Sequence, residues 1–552
     1  MIVDLIAYTQ RVVPTSDKNP LDIVEEAASI CYDSSMTDDY KIAKGCKASG
    51  HYSVLEHINF TFYVKDVSRA LLAQISRHRH ISMSVMSQRY VPYGNTVIPD
   101  LKIDALNTKS YNDLSEYQKN NIIKLYNDGY STADIGDFYG IAKRVVQGCI
   151  KQQQKLRTLS ESKQIHKDYF KNIDTPIKAY ILGLIATDGN IATHKDGRHN
   201  LNITQHVEQR YLLQNIISQI KDNGKLNKDG HGNKGIKIQV QDETICNDLI
   251  NMGITPRKTC KLNIDKIVEM LSSDENLLRN FIRGIVDGDG HISYRPNDKC
   301  GKYYTFDVSG SEDVVHAVRD VFSKYCKTPY DKKVLNNCDN GHRVTYSAER
   351  DVKSICEWLY SNIDYRFVHL RKLCAVVSLD ENLKNEFNKK FKDFIEKEFK
   401  MVIPDSFLKN PYTAVEFLRA AFDVRQSYNR FVYSQAKQGK TGEKAYEDAR
   451  AVLPNACCTE FYITMNARAL IEMSHLRLCS RAQKEIREMF TEMKKEVAQV
   501  CPEVANWMVP SCEANPKYPF CPEGRGCCGR HPRLADVYKP IEKNKEVIDA
   551  NT

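Results

Sequence analysis

The sequence lacks any uninterrupted run of about eighteen apolar residues, the minimum that a membrane-spanning helix needs. Its N-terminus also lacks the basic start and apolar core of a secretory signal peptide, and residues 1–14 instead have the character of a first β-strand. These two absences predict a cytoplasmic protein that does not associate with membranes.

Paired Cys-x-x-Cys motifs are missing as well, although the chain has 18 cysteines in 552 residues. Most of them are scattered, which predicts reduced thiols in a reducing compartment. Cys512, Cys521, Cys527 and Cys528 lie close together near the C-terminus and offer an alternative, because four thiolates are one ligand set of structural zinc sites. The net charge of +9 is mild and agrees with nucleotides or DNA as ligands.

The tetrapeptide Val97-Ile98-Pro99-Asp100 recurs as Val402-Ile403-Pro404-Asp405. Between the two copies the sequence is rich in Lys, Asn, Asp and Tyr, and its character differs from that of the flanking segments. A chain of 552 residues is also long for one domain. We therefore predict a host domain interrupted by an insertion. The predicted parts are host residues 1–100 and 406–552, a helical region over 101–160 and an inserted domain over 165–385.

The host segments have the pattern of an α+β fold. Alternation of apolar and polar residues over 58–64 predicts a half-buried strand. Apolar spacing over 66–76 predicts a helix that ends at Arg77-His78-Arg79. Further helices are predicted over 412–431 and 467–489.

Residues 77–90 (RHRHISMSVMSQRY) contain three arginines and two histidines. Such a cluster predicts a strongly anionic ligand, because arginine makes planar bidentate contacts to phosphate. The alternative is a solvated basic helix end. That alternative explains poorly why the cluster lies between an apolar helix and the aromatic turn over 91–94.

The triplet Arg77-His78-Arg79, followed by Ser87 and Arg89-Tyr90, resembles the signature motif of flavin-dependent thymidylate synthases. Four further segments resemble motifs of that family in the same order. They are GH…EH over 50–57, ARAVLP over 449–454, Asn466-Ala467-Arg468, and LR…QKEI over 476–486. The resemblance covers nearly all of residues 1–100 and 406–552, and five ordered motifs are much more specific than one arginine cluster.

The resemblance implies a discontinuous thymidylate synthase fold and an enzyme that methylates dUMP to dTMP. It implies methylenetetrahydrofolate as the carbon donor, a bound FAD reduced by NADPH, and a homotetramer with shared sites. The implied FAD contacts are Ser53, Arg77, His78, Arg79, Asn466 and Arg468. The implied dUMP contacts are Gln74, Arg77, Ser87, Gln88, Arg89, Arg450 and Arg477. Arg477 is the implied catalytic residue, a cation beside the uracil ring that stabilises developing negative charge.

Three positions depart from the family's usual pattern. Ser84-Val85 replaces a frequent Asn-Glu pair, and Glu472 stands where an amide or histidine is common. Because the side chain of Val85 cannot form hydrogen bonds, we expect these departures to affect how ligands are positioned and to leave the reaction class intact.

Residues 114–150 show helical apolar spacing on both sides of Gly129, with Ser131 and Thr132 as capping residues of a second helix. The apolar positions are Ile122, Ile123, Leu125, Ile135, Ile141 and Val145. This pattern predicts a helix-turn-helix whose second helix contacts DNA. The residues expected on that helix to contact DNA are Lys143, Arg144 and Gln147. A helical linker that binds nothing is the alternative.

Two internal segments repeat each other, ILGLIATDGNI over 181–191 and FIRGIVDGDGHI over 281–292. Gly183 aligns with Gly284, and Asp188 aligns with Asp289. Each segment predicts a helix of small and apolar residues that ends at Asp-Gly. Small residues allow close packing, which would bring the two carboxylates together as ligands of a divalent metal ion.

This pair resembles the LAGLIDADG homing endonucleases in their single-chain, two-repeat form, over about residues 170–375. The resemblance implies an αββαββα-type repeat that cuts double-stranded DNA, with Mg²⁺ bound by Asp188 and Asp289. Lys237 is a candidate catalytic lysine. The strands predicted to form the DNA-binding sheets lie over 201–205, 236–241, 303–308 and 343–347. A decayed domain that packs without cutting is the alternative.

Protein splicing is a further alternative for the insert. Self-splicing needs a Cys or Ser at the start of the insert, where this chain has Leu101, although Ser406 stands at the far edge as an acceptor. The remaining alternatives are a bifunctional chain that retains the insert, and a chain in which only the endonuclease is active.

Overall fold

The chain forms two compact units in a computed structural model. The described residues are 1–12, 19–94, 97–157, 165–221, 224–228, 234–256, 262–298, 301–336, 341–514 and 519–537. The first unit comprises Met1–Val91, Glu396–Val402 and Leu453–Thr552, and the second comprises Pro92–Ile395 and Ile403–Val452. The predicted end of the helical region near residue 160 lies outside the described residues.

Strands and helices are numbered here along the described residues. The strands are β1 (Ile2–Tyr8), β2 (Asn59–Ser68), β3 (Ile81–Val85), β4 (Gly189–Thr193), β5 (His199–His206), β6 (Asn227–Lys228), β7 (Gly235–Val240), β8 (Gly290–Asp298), β9 (Gly301–Gly310), β10 (Val334–Asn336), β11 (His342–Tyr346) and β12 (Cys458–Asn466). The helices are α1 (Leu21–Cys31), α2 (Lys41–Ala48), α3 (Arg69–Ile75), α4 (Glu116–Asn127), α5 (Thr132–Tyr139), α6 (Lys143–Gln153), α7 (Pro176–Asp188), α8 (Arg210–Ile220), α9 (Glu243–Met252), α10 (Ile264–Leu271), α11 (Glu275–Asp289), α12 (Glu312–Cys326), α13 (Glu349–Tyr360), α14 (Leu370–Val377), α15 (Glu381–Phe399), α16 (Asp405–Leu408), α17 (Pro411–Lys437), α18 (Glu443–Ala449), α19 (Ala467–Arg477), α20 (Lys484–Val500) and α21 (Pro502–Trp507).

Both ends of the sequence build the sheet of the first unit. Its strand order is β1-β2-β12-β3, and every neighbouring pair is antiparallel. β12 therefore lies between β2 and β3 in space, although it follows them by more than 350 residues in sequence. The predicted discontinuous host fold is confirmed at this level, because neither segment alone would complete the sheet.

One face of this sheet forms the core of the first unit. Phe60, Phe62 and Val64 of β2 are fully buried, and the residues between them are more exposed, as the alternation over 58–64 predicts. Helices α1, α19 and α20 supply further buried side chains to the same hydrophobic cluster. The core thus orders the strand and helix ends that carry the basic residues.

The helix predicted over 66–76 begins later than expected, at Arg69. Asp66 and Val67 belong to β2, and the chain changes direction at Ser68. The Ser68 hydroxyl caps the helix by accepting a hydrogen bond from Leu71 N at 3.1 Å, and Ser68 N donates to Glu485 Oε1 at 2.6 Å. The helix therefore begins at Arg69. Local periodicity does not show this boundary, because it depends on the Ser68 cap and on Glu485, a partner that is distant in sequence.

The single helix predicted over 467–489 is wrong, because the structure has two helices there, α19 and α20. A continuous helix would pair the carbonyl groups of residues 480 and 482 along its own axis. Instead, Arg487 Nη1 donates to Ser480 O at 2.8 Å and to Ala482 O at 3.3 Å. The interruption leaves Arg477 at a helix end.

Three helices, α4, α5 and α6, occupy the region in which two are predicted. Gly129 follows α4 with φ +104°, and Ser131 Oγ caps α5 by accepting from Asp134 N at 3.1 Å, as expected. Gly140 ends α5 with φ +67° and begins a new turn. Lys143, Arg144 and Gln147 therefore lie on a third helix, α6, and not on a second.

The second unit contains two four-stranded sheets of matching order. They run β4-β5-β7-β6 and β8-β9-β11-β10. The elements follow one another as α7, β4, β5, α8, β6, β7, α9 in the first half and as α11, β8, β9, α12, β10, β11, α13 in the second. The four predicted strands overlap β5, β7, β9 and β11, and their ends agree to within two residues.

Helix α17 packs against the three-helix region within the second unit. The Tyr433 hydroxyl donates to Asp134 Oδ1 at 2.7 Å, and Lys437 Nζ lies 2.9 Å from the same oxygen. The first copy of the repeated tetrapeptide contacts the start of α18, where Gly442 N donates to Ile98 O at 2.9 Å. Helix α17 contains the whole helix predicted over 412–431.

Among the described helices, none is both long and apolar enough to cross a membrane.

Candidate functional site

The basic triplet follows α3 directly in the first unit. His78 N donates to Ile75 O at 3.1 Å, and His80 has a left-handed φ of +60° that leads the chain into β3. Arg77 and Arg79 are exposed, whereas His78 is half-buried. Two guanidinium groups are therefore available to solvent beside a more protected imidazole.

Arg477, at the C-terminal end of α19, contacts two other predicted site residues. Its Nε donates to His78 Nε2 at 2.9 Å, and its Nη2 donates to Gln74 O at 3.4 Å. Gln74 in turn donates through Nε2 to Gln483 Oε1. The fold thus brings together three predicted ligand-binding residues from opposite ends of the sequence.

The cationic groups of this cluster form no ion pair with a carboxylate among the described residues. Burial lowers the pKa of His78, and the positive charge of Arg477 lowers it further, so the imidazole is neutral and can accept the Arg477 hydrogen bond. Burial and repulsion from Arg77 both lower the pKa of Arg477. Within the described residues, no carboxylate contributes to that pKa shift. The cluster is therefore suited to an anionic ligand.

Arg468 is positioned by two carboxylates. Its Nη1 donates to Glu56 Oε1 at 2.7 Å, and its Nε donates to Glu472 Oε1 at 3.0 Å. Glu472, one of the positions that departs from the family pattern, is therefore a direct partner of a predicted FAD contact. Ser53 is exposed on the same 3₁₀ turn as Glu56 (Tyr52–His57), and Asn466 caps α19 through a 2.8 Å bond from Ala469 N.

The other predicted dUMP contacts lie after β3 or in the second unit. Arg89 N donates to Ser87 Oγ at 3.2 Å, and the exposed Arg89 guanidinium lies 5.7 Å from the centroid of the Tyr90 ring. Gln88 is half-buried between them. Arg450 belongs to the second unit, where it is exposed on the 3₁₀ turn Arg450–Val452.

The second unit contains a separate candidate site where α7 and α11 pack together. A methyl group on Gly183 would lie 3.0 Å from Gly284 Cα and would collide with Phe281 O. A methyl group on Gly284 would collide with Tyr180 O and lie 2.8 Å from Leu184 N. Glycine is required at both positions because the two backbones are in direct contact.

Asp188 and Asp289 are the last residues of these two helices. The helix ends adjoin, since a methyl group on Gly288 would lie 2.9 Å from Asp188 Oδ2. Gln205 of β5 donates to Asp188 Oδ2 at 2.6 Å. Lys237 lies on β7 opposite Thr204, the neighbour of Gln205. The assignment of the two acids as metal ligands and of Lys237 as a catalytic group stays a prediction.

Lys372 of α14 is a residue that sequence reasoning missed. Its Nζ donates to the carbonyl oxygens of Val286 at 2.6 Å, Asp287 at 2.5 Å and Gly288 at 3.1 Å, at the end of α11. Burial lowers the pKa of Lys372, while Asp287, Asp188 and Asp289 oppose that shift. The ammonium group is therefore close to both predicted metal ligands, although no motif marks it in the sequence.

Asp287 forms a fully buried polar network behind the two acids. Its carboxylate accepts hydrogen bonds from Tyr180 Oη at 2.8 Å, Tyr360 Oη at 2.7 Å and His369 N at 2.9 Å. The Arg283 guanidinium lies 3.9 Å from the same carboxylate and 4.1 Å from the centroid of the Tyr180 ring. Because the Asp287 carboxylate accepts a hydrogen bond from His369 N, this network fixes the start of α14 and thereby the position of Lys372.

We expect the second unit to lose stability as the pH falls from about 6.5 to about 4. Burial lowers the pKa of His369 to about 4, and its Nδ1 is buried without a hydrogen-bond partner. Because the folded pKa lies below the unfolded value, protonation favours unfolding, and the full shift corresponds to about 3 kcal/mol. Urea unfolding between pH 7.5 and 4.5 measures this loss. His369→Asn should flatten the pH dependence, and an unchanged slope would contradict the assignment.

Comparison with known proteins identifies relatives of this chain. A family model described as "Thymidylate synthase complementing protein" matches residues 5–167 and 360–503. The flavin-dependent thymidylate synthase of Clostridium tetani is 34% identical over 149 residues, which cover 26% of this chain and 58% of that protein. The enzyme of Nitratidesulfovibrio vulgaris is 36% identical over 135 residues, which cover 24% and 54%. The chain thus spans little more than half the length of these relatives.

Similar solved structures are homing endonucleases. The meganuclease I-SmaMI bound to uncleavable DNA matches with a TM-score of 0.27 and 13% identity, over 40% of this chain and 96% of the meganuclease. The LAGLIDADG homing endonuclease I-LtrWI bound to target DNA matches with a TM-score of 0.25 and 14% identity, over 42% and 98%.

Proposed function

The chain belongs to the thymidylate synthase complementing protein family, and from that membership we propose that it is a flavin-dependent thymidylate synthase. The proposed reaction converts dUMP to dTMP with methylenetetrahydrofolate as the carbon donor and NADPH as the reductant of FAD. The observation that carries the proposal is the contact of Arg477 with His78 and Gln74, a cationic cluster without an acidic partner among the described residues.

The donors present fit an anionic flavin nucleotide. Arg77 and Arg79 expose two guanidinium groups next to His78, as the pyrophosphate of FAD requires. Arg468 is already paired with two carboxylates, so it offers FAD only the donors that remain, and Ser53 adds an exposed hydroxyl. We assign these residues and Asn466 to FAD, which when bound supplies the hydride.

We assign the dUMP contacts to the remaining cations and polar groups. They are Gln74, Arg77, Ser87, Gln88, Arg89, Arg450 and Arg477. The neutral His78 imidazole orients Arg477 by accepting its Nε–H, which leaves the other guanidinium donors for substrate. A fixed cation next to the uracil ring stabilises negative charge that develops on the pyrimidine in the transition state.

The test is turnover by the full chain as purified. With dUMP, methylenetetrahydrofolate, NADPH and FAD present, dTMP should form, and omission of any one of the four should stop it. The intact mass of the active fraction is measured in the same sample. No dTMP from a flavin-loaded protein would overturn the proposal.

A second function is favoured by the paired element order of the second unit. Two αββαββα series each begin with a helix that ends in an aspartate, and the two helices meet at Gly183 and Gly284. We propose a single-chain LAGLIDADG endonuclease that cuts double-stranded DNA with Mg²⁺ bound by Asp188 and Asp289. The helices α4, α5 and α6 would add a helix-turn-helix contact to DNA through Lys143, Arg144 and Gln147 of α6.

Asp188→Asn and Asp289→Asn should each abolish metal-dependent DNA cleavage. Loss of one ligand should reduce the rate by at least about a hundredfold, the upper end of the cost of a lost outer-shell partner in a metal site. The assay uses Mg²⁺ and double-stranded DNA that encodes the uninterrupted synthase junction. The matched control is Asp196→Asn, which removes an exposed pair with Arg198 and should leave cleavage unchanged. Cleavage that survives in both acid variants would exclude this site.

We also propose that the insert stays in the chain, within a homotetramer in the cytoplasm. Residues of the three-helix region bind α17 through Asp134, Tyr433 and Lys437, which supports a folded, bifunctional product. A flavin-loaded fraction with the full mass of 63.3 kDa would support retention. A mass of roughly half that value, the size of a single domain, would instead show that the insert is removed.

A further inference from the structure

We infer that Cys512, Cys521, Cys527 and His531 of the first unit are the ligands of a structural zinc site. The site differs from the four-cysteine set considered from sequence, because His531 takes the place of Cys528. It is independent of both proposed activities and lies where the chain leaves α21.

The centre of the site is a group of three side chains that have metal-binding atoms. The Cys512 sulfur, a Glu513 carboxylate oxygen and a His531 ring nitrogen all lie within 4.8 Å of one another. His531 Nε2 is buried and makes no hydrogen bond, although it lies 3.5 Å from Glu513 Oε1. A buried imidazole nitrogen without a hydrogen bond is costly unless it binds a ligand.

Two further thiols adjoin this group. Cys521 and Cys527 are hydrogen-bonded to each other through their side chains, and Cys512 and Cys521 line one small cavity. Cys527 Sγ also lies 3.4 Å from His531 O and accepts a hydrogen bond from Gly529 N at 3.3 Å. Cys521 is therefore near both Cys512 and Cys527, and Cys512 is near His531.

The backbone around these residues is ordered as a closed loop. Cys521 N donates to Pro532 O at 2.7 Å, and Leu534 N donates to Cys521 O at 3.1 Å, so residues 521 and 533 form a β-bridge. The bridge pairs Cys521 with Arg533, which follows His531 by two residues.

Ligand chemistry favours zinc over other metals. Three thiolates and one imidazole form a tetrahedral Cys₃His set, which is a standard structural zinc site. Glu513 is left out of the set, because its carboxylate already accepts a hydrogen bond from Arg530 Nη1 at 2.9 Å. Cys528 is exposed and interacts with Ser480, so we leave it out of the set, although it lines the same cavity as Cys512 and Cys521.

A zinc ion would secure this segment to the end of α19. Ser511 Oγ donates to His475 O at 2.9 Å, and the His475 ring bonds Val509 O at 2.7 Å. Metal at Cys512 would therefore stabilise the part of the chain that contacts α19 two residues before Arg477. Removal of the metal should lower the melting temperature of the first unit.

The experiment measures the zinc content of the full chain, purified under reducing conditions without chelator. We expect about one zinc per chain, as a single four-ligand site binds. Cys512→Ser and His531→Ala should lose it, whereas the matched control Cys528→Ser should retain it. His531→Cys should also retain metal, because zinc accepts a four-cysteine set. The wild-type chain with Co²⁺ in place of zinc should show thiolate charge-transfer and tetrahedral ligand-field bands, a readout that needs no variant.

Three results would overturn the inference. They are wild-type protein that binds neither zinc nor cobalt after reconstitution, loss of zinc from Cys528→Ser as severe as from Cys521→Ser, and a Cys521–Cys527 disulfide in the protein as purified.

Discussion

Arg477→Ala should reduce kcat for dTMP formation by about 10²–10³-fold, the typical cost of removing one preorganised electrostatic donor. The protein should stay yellow, because the predicted FAD contacts Arg77, Arg79 and Arg468 are intact. The physical reason is the position of Arg477, which is oriented by His78 and has no acidic partner in the described part of the chain. Steady-state dTMP formation and the flavin absorbance of the same sample measure both effects.

Arg11→Ala is the matched control for this variant. Arg11 is also in the first unit, and its guanidinium lies 3.1 Å from Glu26 in a surface ion pair of small energetic value. Turnover of this control should stay at the parent rate. Two outcomes for Arg477→Ala would contradict the assigned role: turnover near the parent rate, or loss of flavin in parallel with activity.

Gly284→Ala should destabilise the second unit by about 3 kcal/mol, the upper end of the cost of overpacking a core. The added methyl group meets backbone atoms of α7, Tyr180 O and Leu184 N, and neither can rotate away as a side chain would. Relief requires the two helices to separate, which would also separate Asp188 from Asp289. We therefore expect DNA cleavage to fall together with stability.

The two tryptophans of the chain allow this effect to be located. Trp358 Nε1 donates to Glu275 Oε1 at 2.8 Å, at the start of α11, so its fluorescence reports on the affected helix. In a Trp507→Phe background, denaturant unfolding followed by Trp358 emission should shift to lower denaturant concentration in Gly284→Ala.

Gly45→Ala is the control, because a methyl group there meets nothing within 4 Å. That change lies in the first unit, where it should be neutral or stabilising by about 0.5–1 kcal/mol, and it should leave the transition followed by Trp358 in the second unit unchanged. A Gly284→Ala variant as stable as this control would show that α7 and α11 do not pack through their glycines.

Local sequence predicted the type of most elements and failed where the boundaries depend on distant partners. The strand over 58–64 and the helices that end at Asp188 and Asp289 have clear periodicity, and the structure confirms them. The prediction of a single helix over 467–489 was wrong, because Arg487 donates hydrogen bonds to the carbonyl groups of Ser480 and Ala482 between two separate helices. The two-helix expectation over 114–150 missed a third helix because Gly140 ends α5.

The candidate sites show the same division. The basic triplet and the two acidic glycine motifs were evident from residue types and spacing. In the sequence, Glu472 was noticeable only because it departs from the family's usual residue. Its ion pair with Arg468 at 3.0 Å, which positions that arginine, could not be predicted from the neighbouring residues. Lys372 had no signal at all, since its importance comes from three carbonyl groups on another helix.

The sequence by itself determined that the motifs of one protein family are interrupted by an inserted segment, because ordered motifs and a repeated tetrapeptide are visible in the sequence alone. It also determined which helices carry glycines and end in aspartates. Only the tertiary structure decided which charged groups meet. Arg477 and His78 are 399 residues apart, and their contact exists because β12 inserts between β2 and β3 and places the start of α19 beside the start of β2. Periodicity is a short-range property, whereas electrostatic partners are chosen by the packing of the whole fold.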